Sequence, residues 1–132
     1  MSRENVEVVR RIYEAWNRVD LGLEFFDPAF ELHQTPTLVD TDRVFRGHDG
    51  LLQAVRELFS GLRDLSWHPD DFLVAPDNQV VVPFRFKATG RSQGVTVEMK
   101  LVHVWAVDDG LAIRCITYEA LTEALEAAGL RD

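Results

Sequence analysis

The chain has 132 residues, a formal net charge of −8 at pH 7 and 46% hydrophobic residues. The length fits one domain over residues 1–132, and the apolar content supports a sizeable core, which excludes an intrinsically disordered chain. The negative charge disfavours nucleic acids and anionic membranes as partners, because both are bound through basic surfaces. No apolar run approaches the roughly 20 residues of a membrane span, and the N-terminus has no apolar signal segment. We therefore expect a soluble, cytoplasmic protein that does not bind membranes.

Two helices and one strand are predicted in the first quarter of the chain. Residues 3–18 combine an apolar stripe at helical spacing with opposite charges four residues apart, which is typical of an amphipathic helix. Asp20 can cap a second, short helix, which Asp27-Pro28 ends because a residue before proline is pushed out of the helical region. Residues 30–33 alternate apolar and polar side chains and predict the first strand.

A long loop and a third helix follow. Residues 34–47 predict a fourteen-residue loop, which is long enough to act as a functional lid. The third helix begins near Asp49, because apolar residues recur from there at helical spacing. Gly61 suits its C-terminal end.

The remaining chain predicts β-structure and one short helix. A strand over residues 65–75 is interrupted by Pro69, which indicates an edge or a bulge, and a second strand covers residues 80–89. Residues 95–118 predict a hairpin, and residues 122–128 a C-terminal helix. The order α-α-β-α-β-β-β-β with a short C-terminal helix predicts an α+β fold. In that fold the N-terminal helices wrap a curved antiparallel β-sheet into a cone with an internal cavity.

The hairpin turns at Asp108-Asp109-Gly110, a sequence that favours a tight turn between strands. Its first arm, residues 95–107, is about twice the usual strand length, so we expect a bulge in it. The second half of this arm is apolar on both faces and therefore needs cover on both sides. The chain's own helices supply one cover. A second copy of the chain could supply the other, which predicts a homodimer through the outer face of the sheet.

These segments resemble the SnoaL-like proteins of the nuclear-transport-factor-2-like superfamily. The segments that carry the resemblance are NVEVVRRIYEAWNRVD (5–20), FDPAFELH (26–33), FRGHDGL (45–51), the strand 94–107 with its sequence HVW, DDGLAIR (108–114) and EALEAAGL (123–130). The resemblance implies a conical α+β fold, an apolar pocket and commonly a dimer packed through the outer sheet. It does not imply one reaction, because the superfamily contains isomerases, cyclases, dehydratases and binding modules without activity.

The resemblance assigns His33 to a catalytic position. Ketosteroid isomerases of this superfamily place a carboxylate general base late in the first strand, and the matching residue is His33. Their tyrosine donor corresponds to Ile12, with Tyr13 one place further on. Their protonated aspartate corresponds to Val102, next to His103. The pair of donors found in the isomerases is therefore not reproduced in this chain.

Two residues are candidates for acid–base chemistry. Neutral imidazole is a competent general base near pH 7, so His33 could remove a proton from a ligand. It could equally be a rim histidine that hydrogen-bonds the loop backbone. Glu119 is the nearest candidate for the acidic residue that SnoaL-type cyclases carry near the end of the last strand.

His103 and Trp105 share one face of the long strand. If that face lines the cavity, His103 could donate a hydrogen bond to a ligand carbonyl while Trp105 stacks on a ring. If it is the outer face, both residues belong to a dimer interface. The register favours the interface, because Val102 matches the catalytic position of the isomerases and points the other way. A single bulge would reverse this assignment.

Charged and aromatic side chains complete the candidate ligand-binding set. Glu98 is either a solvated partner of Lys100 or a pocket acid, and Arg114 either pairs with Glu98 or holds an anionic ligand. The aromatic residues fit a core, with a few of them lining the cavity; they are Tyr13, Trp16, Phe26, Trp67, Phe84 and Tyr118.

No cofactor or metal is expected. The four histidines lack the spacing of a metal site, and the sequence has no glycine-rich phosphate loop. Two functions stay open. The first is a module that binds a small apolar or ring-containing molecule. The second is a cofactor-independent isomerase, cyclase or lyase with His33 as general base.

Overall fold

The structure, a computed structural model, describes residues 2–34 and 43–130. Its three α-helices within those residues are α1 Ser2–Asn17, α2 Gly47–Gly61 and α3 Leu121–Ala128. Its seven strands there are β1 Phe26–Gln34, β2 Arg43–Arg46, β3 Leu62–Pro69, β4 Leu73–Ala75, β5 Gln79–Gly90, β6 Thr96–Asp108 and β7 Leu111–Tyr118.

All seven strands belong to one sheet, in the order β2-β1-β7-β6-β5-β3, with β4 also paired to β5. The mixed α+β class and the succession of helices and strands are confirmed. One feature differs from the predicted antiparallel sheet, since β1 and β7 pair in parallel. This pairing joins the first strand to the last one and brings both next to the central strand β6.

Three local predictions are corrected by the structure. The short second helix is a single 3₁₀ turn, Leu23–Phe25, after which β1 begins at Phe26, because backbone pairing with β7 already starts there. Within the predicted loop, Gln34 ends β1, residues 43–46 form strand β2 and Gly47 begins α2, while residues 35–42 lie outside the described residues. The strand predicted over residues 65–75 is two strands, β3 and β4, separated after Pro69.

The β6–β7 hairpin turns through two residues in the left-handed backbone region, Asp109 at φ 53° and Gly110 at φ 81°. Both angles fit the two-residue turn that matches the twist of adjoining strands. The expected bulge is on the other arm. Ala106 pairs with Arg114 while Val107 pairs with Ala112, so the extra residue is Ile113 in β7. Strand β6 itself pairs continuously with β5.

The two faces of the sheet carry two separate apolar clusters. Helices α1 and α2 cover the inner face, where the main core contains Tyr13, Phe30 and Trp105. Helix α3 covers part of the outer face through Ala124 and Ala128.

Val102 and Val104, on the outer face of β6, are buried beneath α3. The second cover of β6 is thus a helix of the same chain. The apolar outer face of β6 therefore no longer indicates a dimer. Among the described residues, no helix is long and apolar enough to cross a membrane.

Candidate functional site

A cavity of about 70 Å³ lies between the inner face of the sheet and helices α1 and α2. At roughly 10–15 Å³ for each water molecule, it has room for about five waters. Most of its wall is apolar. The lining residues are Trp16, Leu32, Gln34, Leu51, Ala54, Val55, Leu58, Trp67, Phe84, Phe86, Leu101, His103 and Thr117.

The register of the sheet places His103 in this cavity. Its neighbours across the strands are Val82 on β5 and Thr117 on β7, and all three residues are buried. The sequence left open whether His103 and Trp105 face a pocket or a second copy, and the comparison with Val102 favoured the second copy. That preference was wrong, because both side chains pack against Tyr13 of α1 inside the chain.

Three buried side chains form a chain of hydrogen bonds beneath the cavity. The indole N–H of Trp105 donates to the Tyr13 hydroxyl oxygen over 2.9 Å. The same hydroxyl lies 2.7 Å from Nδ1 of His103. Since the tyrosine oxygen already accepts from Trp105, we assign its proton to the bond toward Nδ1. His103 then carries its own proton on Nε2.

Burial keeps this chain of hydrogen bonds uncharged at neutral pH. It lowers the pKa of His103 to about 3, so the imidazole is neutral at pH 7. Burial also raises the pKa of Tyr13 well above its ordinary value, and Cys115 adds to the rise, while the hydrogen bond from Trp105 opposes it. The imidazole ring stacks on Phe84, with ring centroids 4.1 Å apart.

Besides the side-chain amide of Gln34 and the indole N–H of Trp67, two hydrogen-bonding groups at the cavity have no partner within residues 2–34 and 43–130. One is Nε2 of His103, because the bond to Tyr13 uses only Nδ1. The other is the hydroxyl of Thr117, whose residue is 2% exposed. A buried donor without a partner is costly, about 1–3 kcal/mol, so both groups are suited to a ligand oxygen.

Sequence reasoning missed Thr117 and most of the aliphatic wall. Helix α2 contributes Leu51, Val55 and Leu58, which form the apolar stripe from which the helix was predicted. Such a stripe is usual for a core, so it did not indicate a cavity. Thr117 gave no sequence signal, because its importance depends on the β6–β7 register.

The family follows from a match of the SnoaL-like domain model to residues 9–115 of the 132. The chain belongs to the SnoaL-like domain family, within the nuclear-transport-factor-2-like superfamily. A comparison with curated protein sequences found no match.

Solved structures of SnoaL-like and related proteins share the fold over nearly their whole length. A nuclear-transport-factor-2-like protein of unknown function from Burkholderia pseudomallei K96243 is 24% identical, with a TM-score of 0.78 over 97% of this chain and 98% of that one. TerC, co-crystallised with polyporic acid, is 22% identical, with a TM-score of 0.78 over 95% and 97%. A phenazine biosynthesis-related protein from Pseudomonas aeruginosa is 19% identical, with a TM-score of 0.73 over 99% and 88%. At these identities the comparison establishes the fold alone.

In this SnoaL-like domain, the structure does not bring His33 to the cavity. Leu32 and Gln34 line the cavity, and His33 lies between them with the opposite orientation along β1. Its Nε2 is 3.0 Å from the carboxylate of Glu31, and this hydrogen bond is the main cause that lowers the pKa of Glu31, with Arg46 adding to it. The position of His33 therefore gives no support to a base acting in the cavity.

The charged candidates also lie away from the cavity. Glu98, Arg114 and Glu119 are all exposed. In the register of the sheet, Arg114 on β7 lies opposite Glu31 on β1. Glu98 on β6 lies opposite Lys87 on β5. The solvated interpretation of Glu98 and a structural role for Arg114 fit these positions.

The apolar candidates divide between the two faces of the sheet. Val102 and Tyr118 belong to the outer cluster beneath α3, so neither reaches the cavity. On the inner face, Trp16, Trp67 and Phe84 line the cavity as predicted. The remaining three, Tyr13, Phe26 and Trp105, are buried in the main core and outside the cavity lining.

In the part of the chain that the structure describes, no group of three or more His, Cys, Asp or Glu residues could hold a metal ion. The cavity offers uncharged polar groups on Gln34, His103 and Thr117 among aliphatic and aromatic side chains. It can therefore fix the orientation of a ligand by hydrogen bonds and stacking.

Proposed function

We propose that this SnoaL-like domain binds a small, uncharged, ring-containing molecule whose hydrogen-bond acceptor, such as a carbonyl oxygen, meets His103. The observation that carries the proposal is a buried, neutral imidazole in a largely apolar cavity. Tyr13 occupies its Nδ1, and its Nε2 has no partner among the described residues. Because the donor is already held in place before binding, little conformational entropy is lost when the ligand binds.

The ligand is uncharged because the cavity offers no compensating charge. Asp, Glu, Lys and Arg are all absent from its lining among residues 2–34 and 43–130. A charged group transferred from water into an apolar site without a partner is strongly disfavoured. A carbonyl oxygen loses much less hydration, and the donors of His103 and Thr117 replace what it loses.

The aromatic wall supports a ring. Trp16, Trp67 and Phe84 surround the cavity on three elements, and rings pack well against such surfaces. TerC, which shares the fold, was co-crystallised with polyporic acid. The small volume of about 70 Å³ favours one ring at this position.

We propose binding without chemistry, because no carboxylate lines the cavity in the described residues and the histidine that does, His103, has its Nδ1 occupied by Tyr13. A cofactor-independent isomerase, cyclase or lyase needs a base that reaches its substrate. His33 and Glu119 were the candidates, and His33 pairs with Glu31 on the other face of β1 while Glu119 is exposed. His103 acts as a donor instead, since burial has lowered its pKa to about 3.

Calorimetric titration with acetophenone, an aryl ketone of one ring, tests the proposal. Thr117→Val keeps the shape of the side chain and removes the hydroxyl, so we expect about fivefold weaker binding. Thr96→Val, at an exposed position of β6, is the control and should bind as the wild type does. The proposal fails if acetophenone does not bind at millimolar concentration, or if Thr117→Val and His103→Phe bind it as tightly as the wild type.

A homodimer through the outer sheet face is a separate proposal. Val44, His33 and Ile116 form one row across β2, β1 and β7, and the side chain of Val44 is exposed. Sedimentation at micromolar concentration should give twice the chain mass of 15.1 kDa, and Val44→Asp should lower it. A wild type that sediments as a monomer would exclude the dimer.

A further inference from the structure

A second cavity of about 90 Å³ lies directly behind the first. Trp16, Val55 and Trp67 border both cavities, so these three side chains form the wall between them. On its far side the second cavity is lined by mostly apolar residues of the turn after α1 and of α2, among them Leu21 and Leu52. Asp20 also lines it, and the carboxylate of Asp20 accepts a hydrogen bond from the N–H of Gly22. The two cavities are thus neighbours, and the second one reaches Val19, which is 77% exposed.

The wall contains two indoles, of which one makes a hydrogen bond and the other does not within the described residues. The N–H of Trp16 donates to the carbonyl of Leu21 over 3.1 Å, which fixes its ring. The indole N–H of Trp67 has no partner in the described part of the chain, although the residue is 8% exposed. Its backbone is held on both sides by the side chain of Asn17, at 2.7 Å and 2.8 Å. The ring of Trp67 is therefore held by packing against Trp16 and Phe86, at centroid distances of 5.3 Å and 5.4 Å, and not by a hydrogen bond of its own.

The outer edge of the second cavity contains Val19, an apolar residue whose backbone has a strained, positive φ. Val19 lines the cavity, is 77% exposed and has φ of 60°. At the end of α1, the N–H of Val19 donates a hydrogen bond to the carbonyl oxygen of Trp16, and the N–H of Asp20 donates to the carbonyl oxygen of Ala15. This is the helix end at which glycine is preferred, because a β-branched residue is strained at positive φ. An exposed, strained valine is unexpected unless its side chain has a role.

We propose that the second cavity is a subsite for the far, apolar end of an elongated aryl ketone. The carbonyl end lies at His103 and Thr117, and a second ring passes Trp67 to lie between Val19 and Leu52. This inference rests on the proposed function, since it extends the same ligand. The exposed edge at Val19 is then the side from which the ligand enters.

Two probes separate the two cavities. Acetophenone fills only the first cavity, and 4-acetylbiphenyl carries an additional ring for the second. We expect the wild type to bind 4-acetylbiphenyl at least about tenfold more tightly, because the additional ring is removed from water. Leu52→Trp fills the second cavity and should abolish this gain while acetophenone binds within twofold of the wild type. Leu52→Met, of similar volume, is the matched control and should keep the gain.

A second variant guards against misfolding of the first. Asparagine tolerates positive φ, and Val19→Asn removes the apolar side chain. We therefore expect this variant to bind 4-acetylbiphenyl about threefold more weakly and acetophenone as tightly as the wild type does. If acetophenone binds in a Thr117-dependent way but 4-acetylbiphenyl binds no more tightly, or Leu52→Trp and Val19→Asn both keep the full gain, the subsite is refuted and the proposed function stands. If neither probe binds, both proposals are refuted.

Discussion

The hydroxyl of Tyr13 lies 2.7 Å from Nδ1 of His103, a bond between residues 90 positions apart that joins the first helix to the central strand. It fixes the imidazole ring and determines which nitrogen is left for a ligand. The hydroxyl also accepts from Trp105, so one oxygen satisfies two buried groups.

Tyr13→Phe should therefore destabilise the chain by about 2 kcal/mol, because it leaves the indole N–H of Trp105 and Nδ1 of His103 buried without partners. Urea unfolding measures the loss. Tyr118→Phe is the matched control, since the Tyr118 hydroxyl has no hydrogen-bond partner in residues 2–34 and 43–130, and it should change stability by less than about 0.5 kcal/mol. Equal stability of Tyr13→Phe and the wild type would show that the bond is absent.

The pKa of His103 makes stability depend on pH in a defined range. Burial lowers it from 6.5 to about 3 in the folded chain, so the unfolded chain binds the proton more readily between these values. The contribution to stability is complete above pH 6.5 and is lost as the pH falls toward 3, by about 1.4 kcal/mol for each unit within that range.

Unfolding free energies of the wild type and His103→Phe, compared from pH 7 to pH 4, isolate this contribution. The difference in slope between the two proteins is the test, because the other titrating groups are common to both. Parallel pH profiles would mean that His103 titrates normally and is not buried neutral.

Val19 should be a site of stabilisation. Val19→Gly relieves positive φ at an exposed position, and we expect it to raise the free energy of unfolding by about 1 kcal/mol. Val19→Ala keeps a β-carbon and should gain clearly less. A destabilised Val19→Gly variant would argue that the valine side chain makes packing contacts that outweigh the strain.

Two glycines of α2 should respond oppositely to alanine. A β-carbon at Gly50 would lie 2.8 Å from the backbone carbon of Phe45, so Gly50→Ala should destabilise by about 1–3 kcal/mol despite its better helix propensity. A β-carbon at Gly61 meets nothing within 4 Å, and Gly61→Ala should be neutral or stabilising by up to about 1 kcal/mol. Thermal unfolding distinguishes the pair. Similar losses at both positions would contradict the close contact between α2 and β2.

The helices and the long hairpin were predictable because each has a strong local pattern. The amphipathic stripe of α1 and the Asp109-Gly110 turn needed no tertiary information. Strand β2 was missed because its four residues are too few to show a period and its stability comes from pairing with β1. The parallel pairing of β1 with β7 likewise depends on contacts distant in sequence.

The candidate site was only half predictable for a related reason. The alternation of side chains along β6 correctly placed His103 and Trp105 on one face of the strand. It could not determine whether that face was the inner or the outer one. The outer face of a strand can normally be recognised because its residues are polar. Here α3 buries Val102 and Val104 on the outer side, so both faces of β6 are apolar and the pattern is ambiguous.

The most direct test of the binding site is the ¹⁵N NMR spectrum of the His103 imidazole at pH 7, recorded without and with acetophenone. A neutral ring protonated on Nε2 is predicted, and Nε2 should shift on titration while Nδ1, bonded to Tyr13, changes little. A proton on Nδ1, or an Nε2 signal that acetophenone does not move, would contradict the proposed role of His103.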